Sequence, residues 1–197
     1  PERVEIKCGF LNDRQKEFWK QLYFGGLSEF FYINGIETDK DSFMTIECDE
    51  AKDDIAPICY KTAGINLIPV GGGKDSAVTA ELLKPFGKRN KFFTVNDQVA
   101  RTETVIAAGY GEDDIIKTYR AIDKNLLELN KKGFLNGHTP FSAIVAFLSL
   151  YCAYLIGGEY IVLSNESSAN SGNIEGREVN HQYSKSYRFE NDFTEYV

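Results

Sequence analysis

From residue 63 onward the chain predicts an α/β fold, a parallel sheet with helices on both faces, and three observations carry that reading. Short apolar runs alternate with segments of helical periodicity, the pattern of strands joined by helical crossovers. The first run, "INLIPV", is apolar without polar alternation, as a strand buried on both faces requires. It passes through three glycines into a helix, the junction at which open α/β sheets hold their ligands. With 197 residues, 43% hydrophobic and 26% charged, the chain can build one well-buried domain and a small appendage.

Residues 1–62 read as that appendage, an α+β piece. "NDRQKEFWKQLYFGGL" is a short amphipathic helix ending at Gly25-Gly26. "EFFYINGIET" and "FMTIECDE" alternate bulky apolar and polar residues around Asn34-Gly35, which predicts a β-hairpin stacked on the sheet. The acidic stretch at 49–54 reads as a solvated loop. Residues 63–197 form the α/β domain: "INLIPV" strand, "DSAVTAELLK" helix, "KFFTV" strand, "QVARTETVIAAG" helix, "DIIKTYR" strand and "AIDKNLLELNKKG" helix. Next come a long buried helix, "TPFSAIVAFLSLYCAYLIGG", with Thr139 as N-cap, Pro140 first and Gly157-Gly158 as stop, and a strand, "EYIVLSN". The remaining "ESSANSGNIEGREVNHQYSKSYRFENDF" has the composition of a long functional loop. The start at Pro1 and the ending "FTEYV" read as a fragment or processed chain, with part of a substrate site outside it.

Composition narrows the partners. A net charge of −7 and a pI near 5.0 give no general attraction to nucleic acid or to an anionic membrane. The uncharged run 139–158 is long enough to span a bilayer, but serines, tyrosines and a cysteine interrupt it and no basic cluster flanks it. Cys8, Cys48, Cys59 and Cys152 are scattered, with no C-x-x-C pair and neither histidine at ligand spacing. That pattern predicts buried, reduced thiols in a cytoplasmic protein rather than a zinc site.

The chemistry concentrates at "PVGGGKDS". Gly71, Gly72 and Gly73 let main chain approach phosphate oxygens, while amides of the following helix, the Ser76 hydroxyl and Lys74 cradle an anion. A Walker A loop is excluded, since Ile68 stands where its first glycine must be and Asp75 follows the lysine. A Rossmann G-x-G-x-x-G is excluded by Ser76.

Gly71-Gly72-Gly73-Lys74-Asp75-Ser76 resembles the S-G-G-x-D-S loop of the PP-loop ATP pyrophosphatases, with Gly71 in place of the first serine. The resemblance implies that ATP binds with magnesium, that a substrate oxygen attacks its α-phosphate, and that the loop grips the departing pyrophosphate. It further implies nucleotide contacts from Thr94, Val95 and Asn96 and a magnesium contact from Asp75. Arg101 and Glu103 either face the nucleotide or form a solvated pair on their helix.

Two later stretches, "NGHTPFSA" and "LSNESSAN…VNHQYSKSYRFE", taken with the glycine loop, resemble the epimerases that act on UDP-N-acetylmuramoyl-L-alanyl-L-glutamate. The likeness covers about residues 30–193 and is vague in the N-terminal part. It implies adenylation of the terminal L-glutamate carboxylate, inversion of the α-carbon, and release of AMP and pyrophosphate. His138, His181 and Lys185 are then the proton-handling set, with Lys185 alternatively neutralising a phosphate or carboxylate, and Glu166 a base or magnesium ligand. Asn165, Ser167, Asn180, Gln182, Ser184 and Ser186 supply substrate contacts. The partner implied is the UDP-linked muramoyl dipeptide, with neither nucleic acid nor membrane. Two other readings stay open: another PP-loop enzyme such as an adenylating amide ligase, and a nucleotide-binding module without turnover. A tRNA thiolase is disfavoured by the acidic charge and the missing cysteine pair.

Overall fold

The computed structural model describes residues 2–49, 58–172 and 179–197. Contacts divide the chain into two compact units, each discontinuous in sequence. The first comprises Pro1–Pro57, Leu129–Ser142 and Ser167–Val197; the second comprises Ile58–Glu128 and Ala143–Glu166. The expected boundary near residue 62 falls close to the first of these junctions, but residues 129–142 and the tail group with the N-terminal segment.

The second unit holds a four-stranded parallel sheet: β3 (Ile65–Pro69), β4 (Asn90–Val95), β5 (Ile115–Thr118) and β6 (Gly158–Ile161), in the order β5-β4-β3-β6. Here β1 and β2 denote two strands of the first unit, Arg3–Ile6 and Thr45–Cys48. The connections are α3 (Lys74–Leu82), α4 (Val99–Ala107), α5 (Lys124–Lys131) and α6 (Phe141–Ile156). Strand order runs outward through β4 and β5 and then returns to the far side of β3. Right-handed crossovers therefore put α3 and α4 on one face and α6 on the other. The core under α3 and α4 is Ile68, Val70, Phe92, Ala80, Val105 and Ala108, with the Phe92 ring edge-on to Tyr110 at 4.7 Å. Each fully buried aliphatic or aromatic side chain contributes about 2–3 kcal/mol. At the amino ends of the strands, Asn66 and Asn90 sit opposite each other in register and are both buried. Asn66 Nδ2 donates to Asn90 Oδ1 at 2.8 Å, while Asn90 Nδ2 donates to the Leu83 carbonyl at 2.6 Å and to the Tyr110 hydroxyl at 2.8 Å. This closed polar network sits at the opposite end of the strands from the glycine loop.

The first unit departs from expectation. No hairpin forms at residues 30–48: the "FFYI" stretch belongs to α2 (Ser28–Ile33), which follows α1 (Asp13–Gly26). Asn34-Gly35 is a stop signal, but for a helix. Gly35 adopts φ +62°, its amide donates to Tyr32 O at 3.3 Å, and the Ile36 amide donates to Phe31 O at 2.9 Å, closing a Schellman motif. The strand expected around "MTIEC" exists as β2, but it pairs in parallel with β1, Arg3 opposite Thr45 and Ile6 opposite Cys48. α1 starts on a capping box, with Asn12 Oδ1 accepting from the Gln15 amide and Gln15 Oε1 from the Asn12 amide. The tail is not one long loop. It contains α7 (Tyr187–Tyr196), packed on α1 through Phe18 stacked on Tyr196 at 4.3 Å and Trp19 Nε1 donating to the Tyr196 hydroxyl at 3.0 Å.

α6 begins at Phe141, one residue later than expected, and ends at Gly157, where φ is +73°. Among the described residues no helix is long and apolar enough to cross a membrane. The thiol expectation is corrected in part: Cys152 is buried, and burial pushes its thiol pKa up, but Cys8 and Cys59 are exposed. Most of the acidic stretch 49–54 lies outside the described residues.

Burial, chiefly, pushes the Tyr183 hydroxyl up to about 12 from its usual 10.0. A raised folded pKa contributes stability that is whole below pH 10 and is lost as pH climbs toward 12. The protein is expected to lose about 1 kcal/mol per pH unit through this group. Tyr183→Phe should flatten that part of the decline in urea-unfolding midpoints measured as pH is raised from about 10 to about 12.

Candidate nucleotide site and histidine pair

The strand order reverses between β3 and β6, so the carboxyl ends of these strands flank a topological switch point, where open α/β sheets bind ligands. β3 leads into Gly71-Gly72-Gly73 and β6 into Ser164-Asn165-Glu166. The two exits are tied together. Thr79 Oγ1 and Ser164 Oγ lie 2.8 Å apart, and Lys74 Nζ bridges Asp75 Oδ1 at 2.8 Å and Glu166 Oε1. These hydrogen bonds, that to Asp75 first, raise the Lys74 pKa. The ammonium is thus held charged between two carboxylates on a side chain that is 75% exposed.

The three glycines differ in what they do. Gly72 is required by the fold: its φ is +83°, and a Cβ there would stand 3.2 Å from the Ala100 carbonyl carbon and from the Arg101 amide. Gly73 has an ordinary φ of −104°, and a Cβ there would meet nothing within 4 Å. Gly71 would meet only Ser76 Oγ, at 3.8 Å, so a serine would fit there. Packing inside the chain therefore explains one glycine of three; the other two keep space open beside the start of α3. Gly73 is also the N-cap and offers no side-chain acceptor to the helix amides. Ser76 is buried, and its Oγ accepts the Gly71 amide at 3.0 Å, leaving its own proton to donate. The Gly71 amide is spent in that bond, which leaves the later amides of the loop for any ligand.

Beside the loop, Thr94 and Val95 are buried at the end of β4, and Asn96 holds the rare φ of +63°. The Asn96 side chain is engaged, its Oδ1 accepting from the Arg120 amide at 2.6 Å. Arg101 settles its two readings differently from either: it donates to the carbonyls of Val95 and Asn96 (2.9 Å to the latter) and clamps the strand end. Glu103 is exposed. Ser164, Thr79 and this clamping role of Arg101 were not legible locally, because each depends on a partner in another element.

In the first unit, His138 and His181 come together with ring centroids 5.4 Å apart, edge to face at 88°. Gln182 Nε2 lies 3.3 Å from His181 Nε2. His138 is exposed, His181 and Gln182 are half-buried, and Lys185 is exposed. Asn180 builds the turn that presents His181: its Nδ2 donates to Ala169 O at 2.8 Å, and its Oδ1 accepts the Gln182 amide at 2.8 Å. Ser184 and Ser186 are buried, and Ser186 Oγ caps α7 by accepting the Phe189 amide at 3.2 Å. Asn165 and Ser167 are exposed. Gly71–Ser76, Thr94–Asn96, Asn165 and Glu166 thus lie in the second unit, and His138, Ser167 and the 180–186 residues in the first. Among the described residues no three His, Cys, Asp or Glu side chains gather to hold a metal.

Fold and loop define an α/β protein with a glycine loop and a helix start without a side-chain cap at the switch point of a parallel sheet. The chain belongs to the MurL N-terminal domain family, whose model matches residues 1–197. It is 32% identical over 199 residues to the UDP-N-acetyl-alpha-D-muramoyl-L-alanyl-L-glutamate epimerase of Xanthomonas oryzae pv. oryzae (strain MAFF 311018), covering 100% of this chain and 43% of that protein. The similarly named protein of Salinispora tropica is 33% identical over 168 residues, 83% of this chain and 35% of that protein. A third, from Micromonospora sp. (strain ATCC 39149), is 38% identical over 121 residues, 60% of this chain and 26% of that protein. The chain therefore spans less than half the length of these curated relatives. No solved structure matches it.

Proposed function

We propose that the second unit binds ATP in the manner of a PP-loop ATP pyrophosphatase. In the full-length protein, located in the cytoplasm, it would serve to epimerise the terminal L-glutamate of UDP-N-acetylmuramoyl-L-alanyl-L-glutamate, a step in peptidoglycan precursor synthesis. The observation that carries the nucleotide half is the space kept at Gly71 and Gly73 beside an uncapped helix start at the switch point. The names of the relatives carry the substrate half.

The chemistry explains why ATP is used. Removing the α-proton of a carboxylate would give a dianion, with two negative charges concentrated on one small group. Attack of that carboxylate oxygen on the α-phosphate gives an acyl-adenylate, which neutralises the group and makes it an electron sink, while pyrophosphate leaves from the glycine loop. Loop amides and the Ser76 O–H stabilise the departing charge. Asp75 and Glu166 fit a magnesium ion, which takes one or two carboxylates plus phosphate oxygens and would offset the phosphate charge. In the described arrangement Lys74 is the cation between those carboxylates, and phosphate oxygens give it an alternative partner. His138 and His181 supply two imidazoles able to remove and return a proton, and hydrolysis of the adenylate releases AMP. Lys185, Asn165, Ser167 and Gln182 remain available to substrate, whereas the Asn180 and Ser186 side chains act on the scaffold that holds His181.

The test is solvent exchange in the full-length enzyme. In D2O with ATP and the L-glutamyl substrate, deuterium should enter the glutamate α-carbon. His138→Asn and His181→Asn should each lower inversion by about 10²- to 10⁴-fold while AMP formation persists. AMP release that depends on ammonia or an amine, with no deuterium incorporation, would instead identify a ligase.

A further inference from the structure

α6 is built the wrong way round for a helix that faces water. Its sixteen residues carry no charge. The buried face is made of small side chains, Ala143, Ala146, Ser149, Cys152 and Ala153, while four bulky residues, Ile144, Tyr151, Tyr154 and Leu155, are exposed. Ile144, Tyr151 and Leu155 follow one another at helical spacing and are 43%, 63% and 62% exposed. Tyr154, 49% exposed, widens the stripe toward Tyr60, whose ring stands edge-on to it at 5.1 Å. Single exposed apolar residues are ordinary, but a contiguous apolar stripe on an uncharged helix marks a covered surface.

The occupant follows from chain length. Relatives of this N-terminal domain are more than twice as long, since the chain accounts for 43% and 35% of two of them. A segment joined covalently reaches such a face at high effective concentration, so its docking costs far less than capture of a free partner. We infer that the outer face of α6 is the seat of the segment that follows this domain in the full-length protein, which packs apolar side chains between Ile144, Tyr151 and Leu155. This holds whether or not the nucleotide reading is right, because it rests on the helix and the relatives' length alone.

The experiment places a photo-cross-linking residue, p-benzoylphenylalanine, at position 151, and separately at 155, in the full-length protein. Products from a mixture of isotopically light and heavy chains are mapped after irradiation. The expected result is cross-linking within one chain to residues beyond this domain, at both positions. Products joining light and heavy chains would mean that a second copy covers the face. Products within residues 1–57 or 167–197 would mean that the domain covers itself. Either outcome, or no protein cross-link at all, overturns the inference.

Discussion

Gly73→Ala in the full-length enzyme is expected to cost at most about 1 kcal/mol of stability, as an alanine at a helix N-cap does, and yet cut kcat/KM for ATP by roughly ten- to a hundredfold. The alanine methyl would meet no protein atom within 4 Å, and φ at this position is −104°, a value any residue adopts. The only thing it can obstruct is a ligand that approaches the main chain there. Gly72→Ala should behave in the opposite sense. A φ of +83° and a 3.2 Å approach to the backbone of Ala100 and Arg101 leave its Cβ no place. That variant is expected to lose about 2–4 kcal/mol of stability, from left-handed strain plus overpacking, along with nucleotide binding. Thermal unfolding and ATP kinetics on both variants make the comparison. Equal kinetics for Gly73→Ala and the parent would mean that nothing presses against the loop.

Asn90→Leu should be the most destabilising single change in the sheet, by about 3–5 kcal/mol in urea unfolding. It removes the acceptor of Asn66 Nδ2 and both donors that satisfy Leu83 O and the Tyr110 hydroxyl, in a place where Asn90 is 0% exposed. Stranded buried polar groups cost more than the hydrogen bonds themselves contribute. Adding Asn66→Leu should therefore recover part of the loss, a coupling that independent sites would not show. Because Asn66 and Asn90 are directly opposite in register, the pair also fixes how β3 and β4 align, and so where β3 delivers the glycine loop.

The alternating half of the chain was readable because its signals are local. Apolar runs, helix starts and the Gly157 stop lie within a few residues of the structure they determine, and every strand and helix expected between residues 63 and 161 is present. The first unit resisted because its determinants are distant. β1 finds its partner some forty residues away, and α1 is held by Tyr196 and Phe189 at the other end of the chain. Alternating aromatics in "EFFYING" suggested a strand, but Phe31 is held in a helix by packing against Phe24 and Phe43. Local β-propensity yields when tertiary contacts reward the other state. At the site, the glycine run reads as an anion loop from local sequence alone. The division of labour within it did not show, since Ser76 turning inward to Gly71 and Arg101 clamping β4 appear only once the chain is folded.

The fate of the phosphates tests the central claim most directly. Full-length enzyme is given ATP labelled at the α- or at the γ-phosphate, together with the L-glutamyl muramoyl substrate. A loop that grips the leaving pyrophosphate predicts that the α-label appears in AMP and the γ-label in pyrophosphate, in equal amounts and only when the acceptor is present. Label appearing in ADP and orthophosphate would contradict it.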